Sequence, residues 1–110
     1  MKSSFFVSLF FALAITGCVS SSAMKVPGVT YPQTDPQKVQ LLYQDPPRIY
    51  EVVGFVAVDV GVGVGQDRVE QAFQAKGSKL GADAVVIEAL PLNTAFKQVQ
   101  GKGKAIRWKQ

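Results

Sequence analysis

At 110 residues and a net charge of +4, the chain has room for one small domain, and its mild basic excess does not suit it to nucleic acid. There is no histidine and one cysteine, which removes the commonest metal ligand, the usual general base and any intramolecular disulfide.

Lys2 is followed by an apolar run, Phe5 to Ile15, too short to span a bilayer as a helix and of signal-peptide length. The run ends in "ITGC", Ile15 to Cys18. Charge, apolar run, small residues and cysteine together resemble a bacterial lipobox, so residues 1–17 are expected to be a lipoprotein signal peptide and Cys18 the lipidated residue. The competing reading is an ordinary signal cleaved after Ser21–Ser22–Ala23. Multiple acyl chains would anchor the chain near-permanently, where one chain holds only marginally. Val19, rather than the Asp that retains bacterial lipoproteins at the inner membrane, points to the outer membrane, facing the periplasm, in an organism that has one.

Residues 18–36 are rich in Ser, Pro and Gly and lack periodicity, which predicts a flexible tether. Fully extended, it would reach roughly 60 Å at about 3.3 Å per residue. The domain is then expected over residues 37–110. Lys38 to Tyr43 alternates apolar and polar residues, a short strand. Pro46 and Pro47 mark a turn. Ile49 to Val60 is β-branched and aromatic, a long central strand, with Tyr50, Val52, Val56, Val58 and Val60 on one face and Ile49, Val53, Phe55 and Ala57 on the other.

A helix follows. Asp67 with Glu70 makes a capping-box pattern, Val69, Ala72, Phe73 and Leu80 form an apolar stripe, and Arg68, Gln71, Gln74 and Ser78 lie opposite. Lys76, inside the stripe, is read as a snorkelling stem. Gly77 implies a close approach to the sheet, and Gly81 is the expected left-handed residue past the helix end. Ala82 to Leu90 reads as a buried strand, Pro91 to Asn93 as a turn, and Thr94 to Lys109 as strand again. The expectation is an α+β domain, β-β-α-β-β, with one helix on a four-stranded sheet.

Three segments, "PPRIYEVVGFV", "KLGADAVVI" and "GKAIRW", resemble a broad group of small bacterial envelope lipoproteins that includes the Rcs stress-sensor lipoprotein and YbjQ-type domains. The likeness runs from Val39 to Trp108 and is strongest over Leu80 to Ile87; it speaks to fold. The chain departs from that group where chemistry is concerned. A sensor held by disulfides is excluded with Cys18 alone, and the heavy-metal label would want His or Cys ligands. The remaining carboxylates, Glu51, Asp59, Asp67, Asp83 and Glu88, are scattered without ligand spacing.

Gly61, Gly63 and Gly65 stand where a phosphate loop would. Their spacing departs from the dinucleotide fingerprint, no Lys-Ser/Thr pair follows, and Asp67 would occupy the helix start. They are read as a corner, or as a continuation of the strand to Val64 that would expose valines for contact. No histidine is present to activate a serine. No catalytic residue, cofactor or metal is therefore expected. The basic residues Lys97, Lys102, Lys104, Arg107 and Lys109 have two readings: guards on an edge strand, or a contact face for an anionic partner. The functional expectation is a non-enzymatic, lipid-anchored envelope protein acting through protein contacts, with the membrane and an envelope protein as partners; the alternative is a small-ligand or anion binder.

Overall fold

The computed structural model describes residues 18–109, so the signal-peptide reading of residues 1–17 lies outside the described residues. The fold is α+β, with one helix on one face of a mixed sheet, as expected from sequence. Its hub is β3, Tyr50–Val60, which is paired on both sides. The sheet has five strands in the order β1-β3-β7-β4-β2, where β1 is Val19–Lys25, β2 Gln40–Leu42, β4 Ala84–Ala89 and β7 Gly101–Trp108. Only β2 and β4 run parallel. A two-stranded ribbon, β5 (Leu92–Asn93) and β6 (Gln98–Val99), joins β4 to β7.

The fifth strand corrects the reading of residues 18–36 as a flexible tether. All seven residues of β1 pair antiparallel with β3, from Val19 opposite Val60 to Lys25 opposite Gly54. Serine favours strands little on its own, but the outer edge of an eleven-residue β3 would otherwise be left unpaired. The chain then crosses the helix side of the sheet. Val29 and Tyr31 pack on the core. Thr34 donates its amide to the Ser78 carbonyl at 3.0 Å and its hydroxyl to the Ala82 carbonyl at 2.9 Å. This strap also explains Ser78, which sequence placed on the polar face of the helix. Ser78 is fully buried, and its hydroxyl donates to the Thr34 carbonyl.

A β-bulge in β3 corrects the expected division of its faces. The register slips between Val52 and Gly54, so Val53 is an extra residue. Parity changes there. Val53, Val56 and Val58 all face the helix and are buried. Tyr50, Val52, Phe55 and Ala57 share the opposite face. The strand ends at Val60 and does not continue to Val64.

The helix α1, Gln66–Lys79, buries Val69 and Phe73 against Val53, Val56, Val58, Val85 and Ile87. Its N-cap is Gly65, without a side-chain cap; Asp67 lies in the first turn, so the expected capping box is not formed. The carboxylate of Glu70 instead accepts from the Tyr43 hydroxyl at 2.7 Å. Asp67 still suits the positive end of the helix dipole. At the other end Gly81 has φ 77°, the left-handed geometry expected of it. A Cβ at Gly77 would stand 2.6 Å from Val85 Cγ2, so the close approach of helix and sheet is real.

Candidate interaction surface

Because α1 covers one face of the sheet, the other is left to loops and solvent. Cross-strand register assigns its residues: Ser20, Ser22 and Met24 on β1; Phe55, Ala57 and Asp59 on β3; Lys102, Lys104, Ile106 and Trp108 on β7. One half is closed. Ala84, Val86 and Ile106 form a second buried cluster, with Leu42, Tyr50, Val52 and Trp108 packed around it. The β2–β3 loop covers this half, and Arg48 stacks on the Trp108 ring at 4.5 Å.

A polar clamp holds that loop down. Tyr50 donates its hydroxyl to Asp45 Oδ1 at 2.6 Å, Lys104 Nζ donates to the Tyr50 oxygen at 2.6 Å, and Lys104 pairs with Asp45 at 3.0 Å. The Tyr50 hydrogen bond, and then the Asp45 carboxylate, hold the Lys104 ammonium above its ordinary range. Tyr50 first, and then the Lys104 ammonium, hold the Asp45 carboxyl below its own ordinary range. Lys104 is therefore engaged within the domain.

The other half of the face is open. Met24 and Phe55 sit directly opposite each other on β1 and β3, 69% and 50% exposed, beside Ala57 in a shallow depression rimmed by Ser22. Lys102 projects from the same face, opposite Ala57. An apolar pair bordered by a cation on an open sheet face is a surface patch rather than an enclosed pocket.

The five basic residues do not form one surface. Lys102 and Lys104 share the face away from α1, Lys102 free of the β2–β3 loop and Lys104 held in its clamp. Arg107 points to the helix side, where it donates to the Gly81 carbonyl at 2.7 Å and stacks on Tyr31 at 4.1 Å. Lys97 is at the tip of the β5–β6 ribbon, and Lys109 follows β7 at the far end. The guarded-edge reading is overturned outright: β7 lies between β3 and β4 in the middle of the sheet, and the edges are β1 and β2.

Three of the carboxylates singled out from sequence, Glu51, Asp59 and Asp83, accept hydrogen bonds within the domain. Glu51 accepts from the Tyr31 hydroxyl at 2.8 Å, which raises the Tyr31 pKa. Asp59 accepts from Gln100 at 3.2 Å, and Asp83 accepts the Trp108 amide at 3.0 Å. Among the described residues, no three such groups are disposed to hold a metal ion. Cys18 is exposed at the head of β1, its carbonyl accepting from the Gly61 amide at 2.9 Å. Sequence reasoning missed Met24 and Phe55 because β1 was read as tether and the bulge went unseen; Gly54, a glycine within a strand, was the available signal.

Neither a family model nor a curated protein matches this chain. Among solved structures it is similar to the crystal structure of a Francisella virulence factor, FvfA. The TM-score is 0.57 at 16% identity, covering 80% of this chain and 97% of that one. At that identity the likeness concerns the fold alone.

Proposed function

We propose that this chain is a lipid-anchored cell-envelope protein, of the small envelope-lipoprotein kind that its sequence resembles, and that it works through protein contacts without catalysing a reaction. The anchor is Cys18, in its lipobox context. The observation that carries the contact reading is the half-open sheet face, where Met24 and Phe55 remain solvent-exposed beside Lys102 while the other half of that face is closed by its own loop. Singly exposed apolar side chains are ordinary, but Met24 and Phe55 face each other across two strands, and burying both on a partner supplies the apolar centre that interfaces are built around. Confinement by acyl chains raises the effective concentration of that face for a partner in the same membrane.

The test is site-specific photocrosslinking in intact cells. A crosslinker at Phe55 should give one discrete adduct, abolished by Met24→Ser, whereas one at Gln71 on the exposed side of α1 should give none. Equal, diffuse labelling from both positions would contradict the reading.

A further inference from the structure

The anchor and the fold meet at one end of the domain. Cys18 precedes β1 by a single residue, and its carbonyl already accepts from the Gly61 amide at 2.9 Å. One residue spans about 3.5 Å, so no slack separates an acylated Cys18 from the sheet. The strand directions bring four other exposed apolar side chains to the same end. Val62, 73% exposed, lies in the turn after β3, one residue beyond Gly61. The β5–β6 ribbon leaves the sheet here, between the end of β4 and the start of β7, and Asn93 Nδ2 ties it to the Val60 carbonyl at 3.0 Å. It carries Leu92 at its base and Phe96 at its tip, the latter 99% exposed. Leu90, just before the ribbon, stands beside Val64 and Gln66.

We infer that this end of the domain lies on the bilayer, with Val62, Leu92 and Phe96 entering the head-group layer around the acylated Cys18. The inference rests on the lipoprotein reading of Cys18. Short apolar tips with an aromatic at the apex suit the interfacial region, where a ring can bury its body while the backbone stays hydrated. Lys97, next to Phe96 at the ribbon tip, adds a cation at this end. Asp59 and Asp67 lie at the same end, so the apolar tips, rather than net charge, drive the seating. The domain would then stand upright, its long strands rising from the membrane and the Met24–Phe55 face turned sideways toward neighbours in the same leaflet.

The test uses the full chain, processed and acylated in cells and reconstituted into vesicles of phosphatidylethanolamine and phosphatidylglycerol. Acylation consumes the Cys18 thiol, so a single introduced cysteine can be labelled with an environment-sensitive fluorophore. Three variants are compared: Val62→Cys, Phe96→Cys and, as a control, Ile49→Cys, which is 75% exposed at the opposite end of β3. The labels at 62 and 96 should show blue-shifted emission and lose intensity to nitroxide-labelled lipid, and the label at 49 should show neither. Replacing Val62 and Leu92 by Ser should diminish the quenching at 96 without releasing the protein from the vesicle. Intact mass of the same samples reports the acyl chains. An acylated Cys18 with equal signals at all three positions overturns end-on seating alone; a Cys18 without acyl chains overturns the lipoprotein reading and the seating with it.

Discussion

The amide of Gly61 donates to the carbonyl of Cys18 at 2.9 Å, so the backbone ladder of the sheet begins at the residue proposed here to be acylated. Residues 19–36 accordingly belong to the folded unit. They pair with β3 from Gly54 to Val60 and strap the helix through Thr34 and Ser78.

A chain cut to begin at residue 37 should therefore be far less stable than one beginning at residue 19. It would expose the edge of β3 and uncover Ser78 and the core beside Tyr31. The expected outcome is aggregation or the loss of a cooperative melt, measured by light scattering and circular dichroism. Equal melting temperatures for the two chains would mean that the strap and β1 are dispensable.

Gly81 combines φ 77° with crowding: a Cβ there would stand 2.6 Å from Tyr31 Cβ and 2.8 Å from the Pro32 carbonyl oxygen. Left-handed strain costs a non-glycine residue about 1–3 kcal/mol. Gly81→Ala should cost at least that, lowering the melting temperature by about 4–8 °C per kcal/mol for a domain of this size. A melting temperature within a degree or so of the parent would contradict the assignment.

Gly77→Ala sets two effects against each other. Helix propensity gains about 1 kcal/mol. Against that, the new methyl group would stand 2.6 Å from Val85 Cγ2, and overpacking a tight core costs about 1–3 kcal/mol. Packing should win, giving net destabilisation by denaturant titration. Val85→Ala removes the opposing methyl groups, so the double variant should lose less than the sum of the two single losses. Simple additivity would show that the two sites do not touch.

The Asp45–Tyr50–Lys104 clamp predicts stability that falls at both extremes of pH. Asp45 has a folded pKa below its ordinary 3.8, so its contribution is present above that value and is lost as pH falls through the lowered one. Lys104 has a folded pKa above its ordinary 10.5, so its contribution is present below that value and is lost as pH rises through the raised one. Tyr50→Phe removes the hydroxyl that is the first cause of both shifts. It should flatten both flanks relative to the parent while leaving the region near neutrality little changed in shape. Unchanged acid and alkaline flanks in the variant would dismiss the clamp as a surface accident.

The long strand, the helix and the strand after it were legible because each carries its own period: β-branched runs for β3 and β4, and Val69, Phe73 and Leu80 for α1. Gly77 and Gly81 were legible because each had a single steric reason to be glycine. The serine-rich β1 was not, since it forms only because β3 offers it an edge, a tertiary decision that local propensity does not contain. The position of β7 was hidden for a similar reason. Alternation tells which residues share a face, but strand order comes from the crossovers. One clue was present: Gly101, Gly103 and Ala105 alternate with Lys102, Lys104 and Ile106, and the small side fits under α1, where a Cβ at Gly103 would stand 3.3 Å from the Phe73 ring. On the candidate surface, Lys102 was visible from sequence. The Met24–Phe55 pair was not, because it needed both the unrecognised strand and the bulge at Val53.

The central claim, that Cys18 carries the membrane anchor, is tested most directly by growing cells with a clickable palmitate analogue and comparing the parent with Cys18→Ala. The parent should incorporate the label and sediment with membranes, and the variant should incorporate none, migrate more slowly as an unprocessed precursor and lose stable membrane attachment after processing by any other route. Equal labelling of the two proteins, or an unlabelled parent of unmodified mass, would contradict it.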